Sequence, residues 1–379
     1  MILKSIKYSQ FAGDPDEWQL DKCIFTNINL IVGKNATGKT KILNIIKALS
    51  NLLSRDRKLN YLSGNYTVLF DKRGKEIKYI LEYMDKKVIR EQLSIDSEIL
   101  LKRGKTGKGY IKAKEANILK MPFMTPKDEI AAFSKRDSIQ HPFLDDLYNW
   151  GDNLTHFYFG TQLGKDVLVA VIKDKEKKAG LDLKNTDMVV AKFIEGEEKF
   201  GKQFVDTIKS NMEEIGYKTD NIEVGPLKSI LFMGEGASKP MGINVKEADL
   251  SGITDQHSMS QGMFRALSLV IQITFSLMAD IPSCILIDDI GEGLDYERSS
   301  NLLRVLIKKA MHKNVQLIMT TNDRFVMNNV PLEYWSVIRR IGNRSAIYNY
   351  QNSKKMFTSF ELTGLSNFDF FSSNYLLQE

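Results

Sequence analysis

The chain has 379 residues, enough for two to three domains of roughly 150 residues or one large domain with an insertion, and 43% apolar with 26% charged residues exclude global disorder and fibrous architecture. The balance of 53 Lys+Arg against 47 Asp+Glu leaves +6, too dilute to establish nucleic-acid binding without clustering. Two cysteines, Cys23 and Cys284, with four scattered histidines exclude a disulfide framework and a Cys/His zinc site, so a reducing cytoplasm is the expected setting.

Residues 1–11 alternate apolar side chains with Lys4 and Lys7 and read as a strand, without the apolar core of a signal peptide. Residues 27–32 (NINLIV) make a short apolar run that stops at Gly33. The stripe Ile42, Ile45, Ile46, Leu49 and Leu53 follows, giving strand, glycine loop, helix. From 66 to 113, short alternating runs with turn signals at 71–74, 85–87 and 104–107 predict an antiparallel meander. Residues 125–220 carry mainly helical signals, from Thr125-Pro126-Lys127-Asp128 to the stripe Phe200, Phe204, Ile208, Met212 and Ile215 closed by Gly216, and read as an inserted lobe. Strand and helix then alternate. An extended piece at 243–245 precedes a long helix from near Ser260, a buried strand at 284–287 (CILI), a helix over 299–311 and a second buried strand at 315–319 (VQLIM), which implies parallel strands. The longest apolar stretch, 266–278, contains Ser268, Gln272, Thr274 and Ser276 and falls short of the roughly 20 apolar residues that span a bilayer. A buried helix and no membrane segment are expected there.

Gly33-Lys34-Asn35-Ala36-Thr37-Gly38-Lys39-Thr40 matches G-x-x-x-x-G-K-[ST] between the predicted strand and helix. In such a loop backbone N–H groups close around phosphate oxygens, Lys39 reaches the β and γ phosphates of ATP, and Thr40 can ligate Mg²⁺. Far along the chain, Ile285-Leu286-Ile287-Asp288-Asp289 ends an apolar run in two carboxylates. Asp288 is the metal-side acid of this reading, and Asp289 faces the attacking water as base or water-orienting group. Between these, residues 257–267 (HSMSQGMFRAL) put Ser260 and Gly262 at the start of a long apolar helix.

Met259 to Met263 resembles the signature sequence of ABC-type ATPases, in which a Ser and Gly at a helix N-terminus face the γ-phosphate held by the opposite subunit. Glu292-Gly293-Leu294-Asp295 resembles the D-loop that crosses such a dimer. Met319-Thr320-Thr321-Asn322-Asp323 occupies the place of the switch segment, with Asn322 where relatives usually present His. Asp289 stands where most relatives have Glu. The chain is similar to ABC-related ATPases of the SMC, RecF and OLD type, and most similar to compact ATPase subunits of bacterial anti-phage systems such as Septu and PARIS. The motifs cover residues 1–55 and 240–325.

This resemblance implies an α/β P-loop fold with an ABC-type two-lobe head. Its lobes would be an N-terminal lobe over 1–120, an inserted mainly helical lobe over 121–225 and a C-terminal lobe over 226–379. It implies a slow ATPase acting as a switch: two or more copies sandwich ATP and Mg²⁺, Lys39, Thr40, Asp288, Asp289 and Asn322 on one side and Ser260, Gly262 and Asp295 across the interface. An effector protein is the implied partner, with a nucleic acid as the alternative. Two rivals are a transporter's nucleotide-binding subunit, against which the long insertion between Gly38 and Ser260 stands, and a nearly inactive ATP-held scaffold.

Other features read more plainly. Residues 101–114 carry Lys102, Arg103, Lys105, Lys108, Lys112 and Lys114 without an acid, and a solvated hairpin is favoured there over contact with a nucleic-acid backbone. Trp18 reads as a core aromatic before an adenine platform. Gln140 and Gln162 read as surface residues, leaving the family's metal-sensing glutamine unassigned. The stretch Phe357, Phe360, Leu365, Phe368, Phe370, Phe371 and Tyr375 packs either on its own domain or on a partner.

Overall fold

A computed structural model describes residues 1–113, 118–170, 184–229, 240–281, 283–312, 315–373 and 375. Strands β1 (Ile2–Gln10), β2 (Trp18–Ile24) and β3 (Ile28–Val32) precede helix α1 (Lys39–Ser54). The meander follows as β4 (Ser63–Lys72), β5 (Lys75–Met84), β6 (Lys87–Ile95), β7 (Glu98–Gly104), β8 (Lys108–Ala113) and β9 (Ile118–Met124). Next come α2 (Ala131–Ser134), α3 (Phe143–Asp152), β10 (Thr155–Tyr158), β11 (Val169–Ala170), α4 (Val189–Phe200), α5 (Lys202–Ile215), β12 (Thr219–Pro226), β13 (Pro240–Glu247) and β14 (Thr254–Asp255). The chain continues through α6 (Gln261–Met278), β15 (Ser283–Asp288), α7 (Tyr296–His312), β16 (Val315–Thr321), α8 (Arg324–Asn329), β17 (Trp335–Ile341), β18 (Arg344–Asn349), α9 (Tyr350–Glu361) and α10 (Asn367–Ser372).

One 14-stranded sheet runs β10-β15-β16-β3-β17-β18-β2-β1-β4-β5-β6-β7-β8-β9. Its first five strands are parallel. β3 (INLIV) and β16 (VQLIMTT) are buried at every position, as strands covered on both faces require. From β2 through β9 neighbouring strands are antiparallel, so the predicted meander forms. A smaller sheet pairs β11, β13, β12 and β14.

Strand alternation divides the core in two. Leu30, Val32, Ile285, Ile287, Leu317 and Met319 face the cluster that holds α4 to α7. Ile31, Leu286 and Ile318 face the other, with α1 and the meander. Both cysteines are free and buried, which raises the Cys23 thiol and pushes Cys284 up to about 12. Among the described residues one helix, Gln261–Met278, is long and apolar enough to cross a membrane, and most of it is buried inside the fold.

Several expectations meet a different outcome. No helix begins at Thr125. The segment is instead pinned to the meander, where Arg103 donates to the carbonyls of Glu129 at 2.8 Å and Pro126 at 3.3 Å, and Glu91 accepts the Ala131 and Ala132 amides at 2.8 and 2.7 Å. Arg103 is 2% exposed, so it does not belong to the basic hairpin surface. Lys112 pairs with Glu98, and Lys114 lies outside the described residues. The stripe from Phe200 to Ile215 breaks at Gly201, whose φ of 61° ends α4 and lets α5 start at a new angle. Residues 121–225 supply α2 to α5 and also β10, an edge strand of the main sheet. The aromatic C-terminal stretch packs on its own domain: Phe357, Phe360 and Phe370 are buried and meet Trp335 and Tyr375, with Leu365 left exposed.

Candidate functional site

The glycine loop leaves fully buried β3 and turns into α1 through Ala36 at φ 63° and Gly38 at φ 109°. Gly33 has no room for a side chain: a Cβ there would lie 2.4 Å from Cγ2 of Ile338 on β17. Outside contacts fix the loop's shape, as Ser345 donates to the Thr37 carbonyl at 3.0 Å and Arg340 to the Ala36 carbonyl at 3.3 Å. Lys39 is 7% exposed, and its ammonium donates to the Gly33 carbonyl at 2.8 Å. Burial lowers its pKa, opposed by the charges of Asp289 and Asp288.

Parallel pairing of β3, β16 and β15 brings the carboxyl ends of these strands to the loop. Thr40 Oγ1 donates to Asp288 Oδ1 at 3.1 Å, and Thr320 Oγ1 donates to the same oxygen at 2.5 Å. Consecutive strand residues ordinarily point to opposite faces, so Asp288 and Asp289 could not both serve one site in a regular strand. The backbone solves this at Asp289, which adopts φ 55° as its N–H donates to Thr320 Oγ1 at 2.9 Å. Asx residues tolerate that left-handed region better than most. Asn322 Nδ2 then donates to Asp289 Oδ1 at 3.3 Å. Burial, and next the charge of Asp288, raise the Asp289 pKa, with Lys39 opposing.

The expected residues Lys39, Thr40, Asp288, Asp289 and Asn322 therefore form one connected group. The hydroxyl of Thr40 and carboxylate of Asp288 are hard oxygen donors that fit Mg²⁺. Among the described residues no group of three or more His, Cys, Asp or Glu could hold a metal, so phosphate oxygens would have to complete the shell.

Ser260, Gly262 and Asp295 fall in a second group. Exposed Ser260 caps α6, accepting the Met263 amide at 3.2 Å. A Cβ on Gly262 would lie 2.5 Å from the Gly293 carbonyl, so the helix start and residues 292–295 touch backbone to backbone. Asp295 caps α7, accepting from the Arg298 amide at 2.9 Å and its guanidinium at 2.8 Å, which hold its pKa down.

Sequence reasoning missed four participants. Thr320, part of the switch-like segment but given no role there, joins Asp288 to Asp289. β10 was read as part of a helical stretch, and it pairs Tyr158 with Asp288. Tyr158 donates to Asn44 of α1 at 3.0 Å. Arg265 on α6 donates to the carbonyls of Gly160 at 2.8 Å, Thr161 at 2.8 Å and Glu292 at 2.9 Å, tying the turn after β10 to the Gly293 segment. Gln162 lies in that turn, whereas Gln140 lies in the loop before α3. Trp18 is 4% exposed and packs on Tyr8, with Lys41 over its ring, so the core reading holds.

No family model matches the chain, and no curated protein matches it in sequence. Among solved structures, an SMC head bound to the C-winged helix domain of ScpA is similar over 94% of this chain and 99% of its own, at 14% identity and a TM-score of 0.53. Two further SMC heads are found. One, from Thermotoga maritima, has 14% identity, 92% and 99% coverage and a TM-score of 0.48. The other, derived from Pyrococcus furiosus and bound to the C-terminal domain of ScpA, has 12% identity, 95% and 99% coverage and a TM-score of 0.49. At such identity the first of these carries the fold alone: nearly the whole chain has the α/β fold of an SMC head.

Proposed function

We propose that the chain binds ATP with Mg²⁺ and hydrolyses it slowly, as a switch in which two copies close around the nucleotide. The observation that carries this reading is the unbroken line of hydrogen bonds from Thr40 through Asp288 and Thr320 to Asp289 and Asn322, lying beside the glycine loop. The loop amides and Lys39 would hold the phosphates, Lys39 exchanging its carbonyl partners for phosphate oxygens. Thr40 and Asp288 would hold Mg²⁺, which neutralises charge developing on the phosphates. Asp289 orients and deprotonates the attacking water, and Asn322 holds its carboxylate. An amide cannot exchange a proton, and an Asp reaches less far than a Glu, which supports slow turnover.

Ser260, Gly262 and Asp295 would meet the nucleotide of the second copy. The exposure of the Ser260 cap supports this, since an N-terminal helix end attracts phosphate. Closure would act on an effector protein, and an anti-phage or DNA-transaction complex is the setting that the motif resemblance supports. Sedimentation of the full chain with ATP and Mg²⁺ tests the switch. Nucleotide-dependent association is expected in the wild type and lost in Ser260→Arg, which keeps its ATP affinity; equal association in both would reduce Ser260 to a helix cap.

A further inference from the structure

Beside β10 lies a cavity of about 620 Å³ that the nucleotide reading does not use. His156 lines it, is 5% exposed, and has no hydrogen-bond partner at either ring nitrogen among the described residues. Burial, with the charge of Lys47, pushes this imidazole down to about 4. It is therefore neutral at pH 7 and carries one N–H donor and one bare acceptor. A buried polar group without a partner costs stability, and an apolar side chain would pack on Tyr158, 4.1 Å away between ring centroids, without that cost.

The walls around His156 carry charge of both signs. Lys47 lies on α1 and Arg55 caps the carboxyl end of that helix, and both line the cavity. Lys184 also lines the cavity and pairs with Asp152, while Asp166 and Asp187 supply the acids. This mixture of cations and acids disfavours a long polyanion. It suits a compact ligand with one anionic end and hydrogen-bond donors at the other. The volume falls within the usual range for small-molecule sites, about 300 to 1,000 Å³.

We propose that this cavity binds a phosphate-bearing ligand of mononucleotide size, its phosphate against Lys47 and Arg55 and its polar ring or hydroxyls against His156. The site is separate from the Gly33–Thr40 loop and goes beyond the ATP reading. Its walls also touch both halves of the molecule. Tyr158 is hydrogen-bonded to α1, and the carbonyl of Thr161, another wall residue, is held by Arg265. An occupant would thereby bias the turn that joins the two groups of the candidate site.

AMP titrated into the full chain in the presence of excess AMP-PNP and Mg²⁺, followed by NMR of its four histidine rings, tests the proposal. The His156 ring signals should shift to saturation, and Arg55→Ala should weaken binding at least tenfold. His156→Leu should melt at a higher temperature than the wild type and no longer bind AMP. The proposal is overturned if the His156 signals do not respond, if AMP-PNP displaces the AMP, or if inorganic phosphate saturates the site at the same concentration as AMP. Should His156→Leu not fold, substitutions of His141, His257 and His312 assign the signal by elimination, and the wild type and Arg55→Ala decide. Because the readout is the His156 ring, failure of ATP binding at Lys39 would appear separately, as loss of the AMP-PNP response.

Discussion

Around Lys39, side chains bond to one another: Thr40 and Thr320 to Asp288, Asn322 to Asp289. Around Ser260 they bond mainly to the backbone, as Arg265 takes three carbonyls and Gly262 rests on the Gly293 carbonyl. The first arrangement sets charges and protons within one chain, and hydroxyls aligned on carboxylates are what phosphate chemistry requires. The second fixes the shape of a surface at which the Ser260 cap is exposed. Under the proposed function, the first group would be one half of a reaction centre and the start of α6 one half of a docking face. Arg265 connects them, because the turn it holds follows the strand that pairs with Asp288.

Separating the two halves by mutation sharpens this contrast. The largest effect is expected at Asp289: replacement by Asn should lower turnover by about 10² or more and leave ATP-dependent association intact, since a general base contributes about 10² to 10⁴. Phosphate release and sedimentation measured on one preparation check both parts. The same residue sets a pH dependence. Its pKa is raised by burial and by Asp288, and the base must be deprotonated to act, so the acid limb of kcat/KM should lie above the ordinary aspartate range near pH 3.9. An acid limb at or below that value would remove Asp289 from the role.

A smaller and opposite effect is expected at Arg265. Arg265→Gln forfeits the guanidinium fork to Gly160, Thr161 and Glu292 and should weaken association about tenfold while changing ATP affinity less than twofold, as charge-assisted hydrogen bonds are worth about 1.5 to 3 kcal/mol. Arg265→Lys should not rescue it, because one ammonium cannot span three carbonyls. Equal losses of ATP affinity and association would mean the halves are not separable. The mildest change is expected from Asn322→Ala, which removes one 3.3 Å hydrogen bond to Asp289 and should lower turnover only about three- to tenfold for a net loss near 1 kcal/mol. A dead enzyme there, with an active Asp289→Asn, would assign water positioning to Asn322.

The parts of this architecture legible in sequence are those specified within a few residues. Strand, glycine loop and helix at 27–54 follow from local pattern, as do the apolar run ending at Asp288 and the cap at Ser260. What escaped depends on contacts between distant segments. β10 has only four residues and becomes a strand by pairing with β15, some 130 residues later. Arg265 sits in an apolar helix pattern that says nothing of the three carbonyls it meets. The left-handed turn at Asp289 is likewise invisible in an Asp-Asp pair, though without it only one of the two carboxylates would face the loop. Arg103 shows the same limit in reverse, counted with surface cations until strand alternation and Glu129 turn it inward.

Calorimetry of ATP with Mg²⁺ binding to the wild type and to Lys39→Ala decides whether the Gly33–Thr40 loop holds ATP. Lys39 is the loop's buried cation, and its contact with phosphate is worth roughly 1.5 to 3 kcal/mol, so the variant should lose at least tenfold in affinity. Wild-type affinity in a folded Lys39→Ala chain would contradict the account.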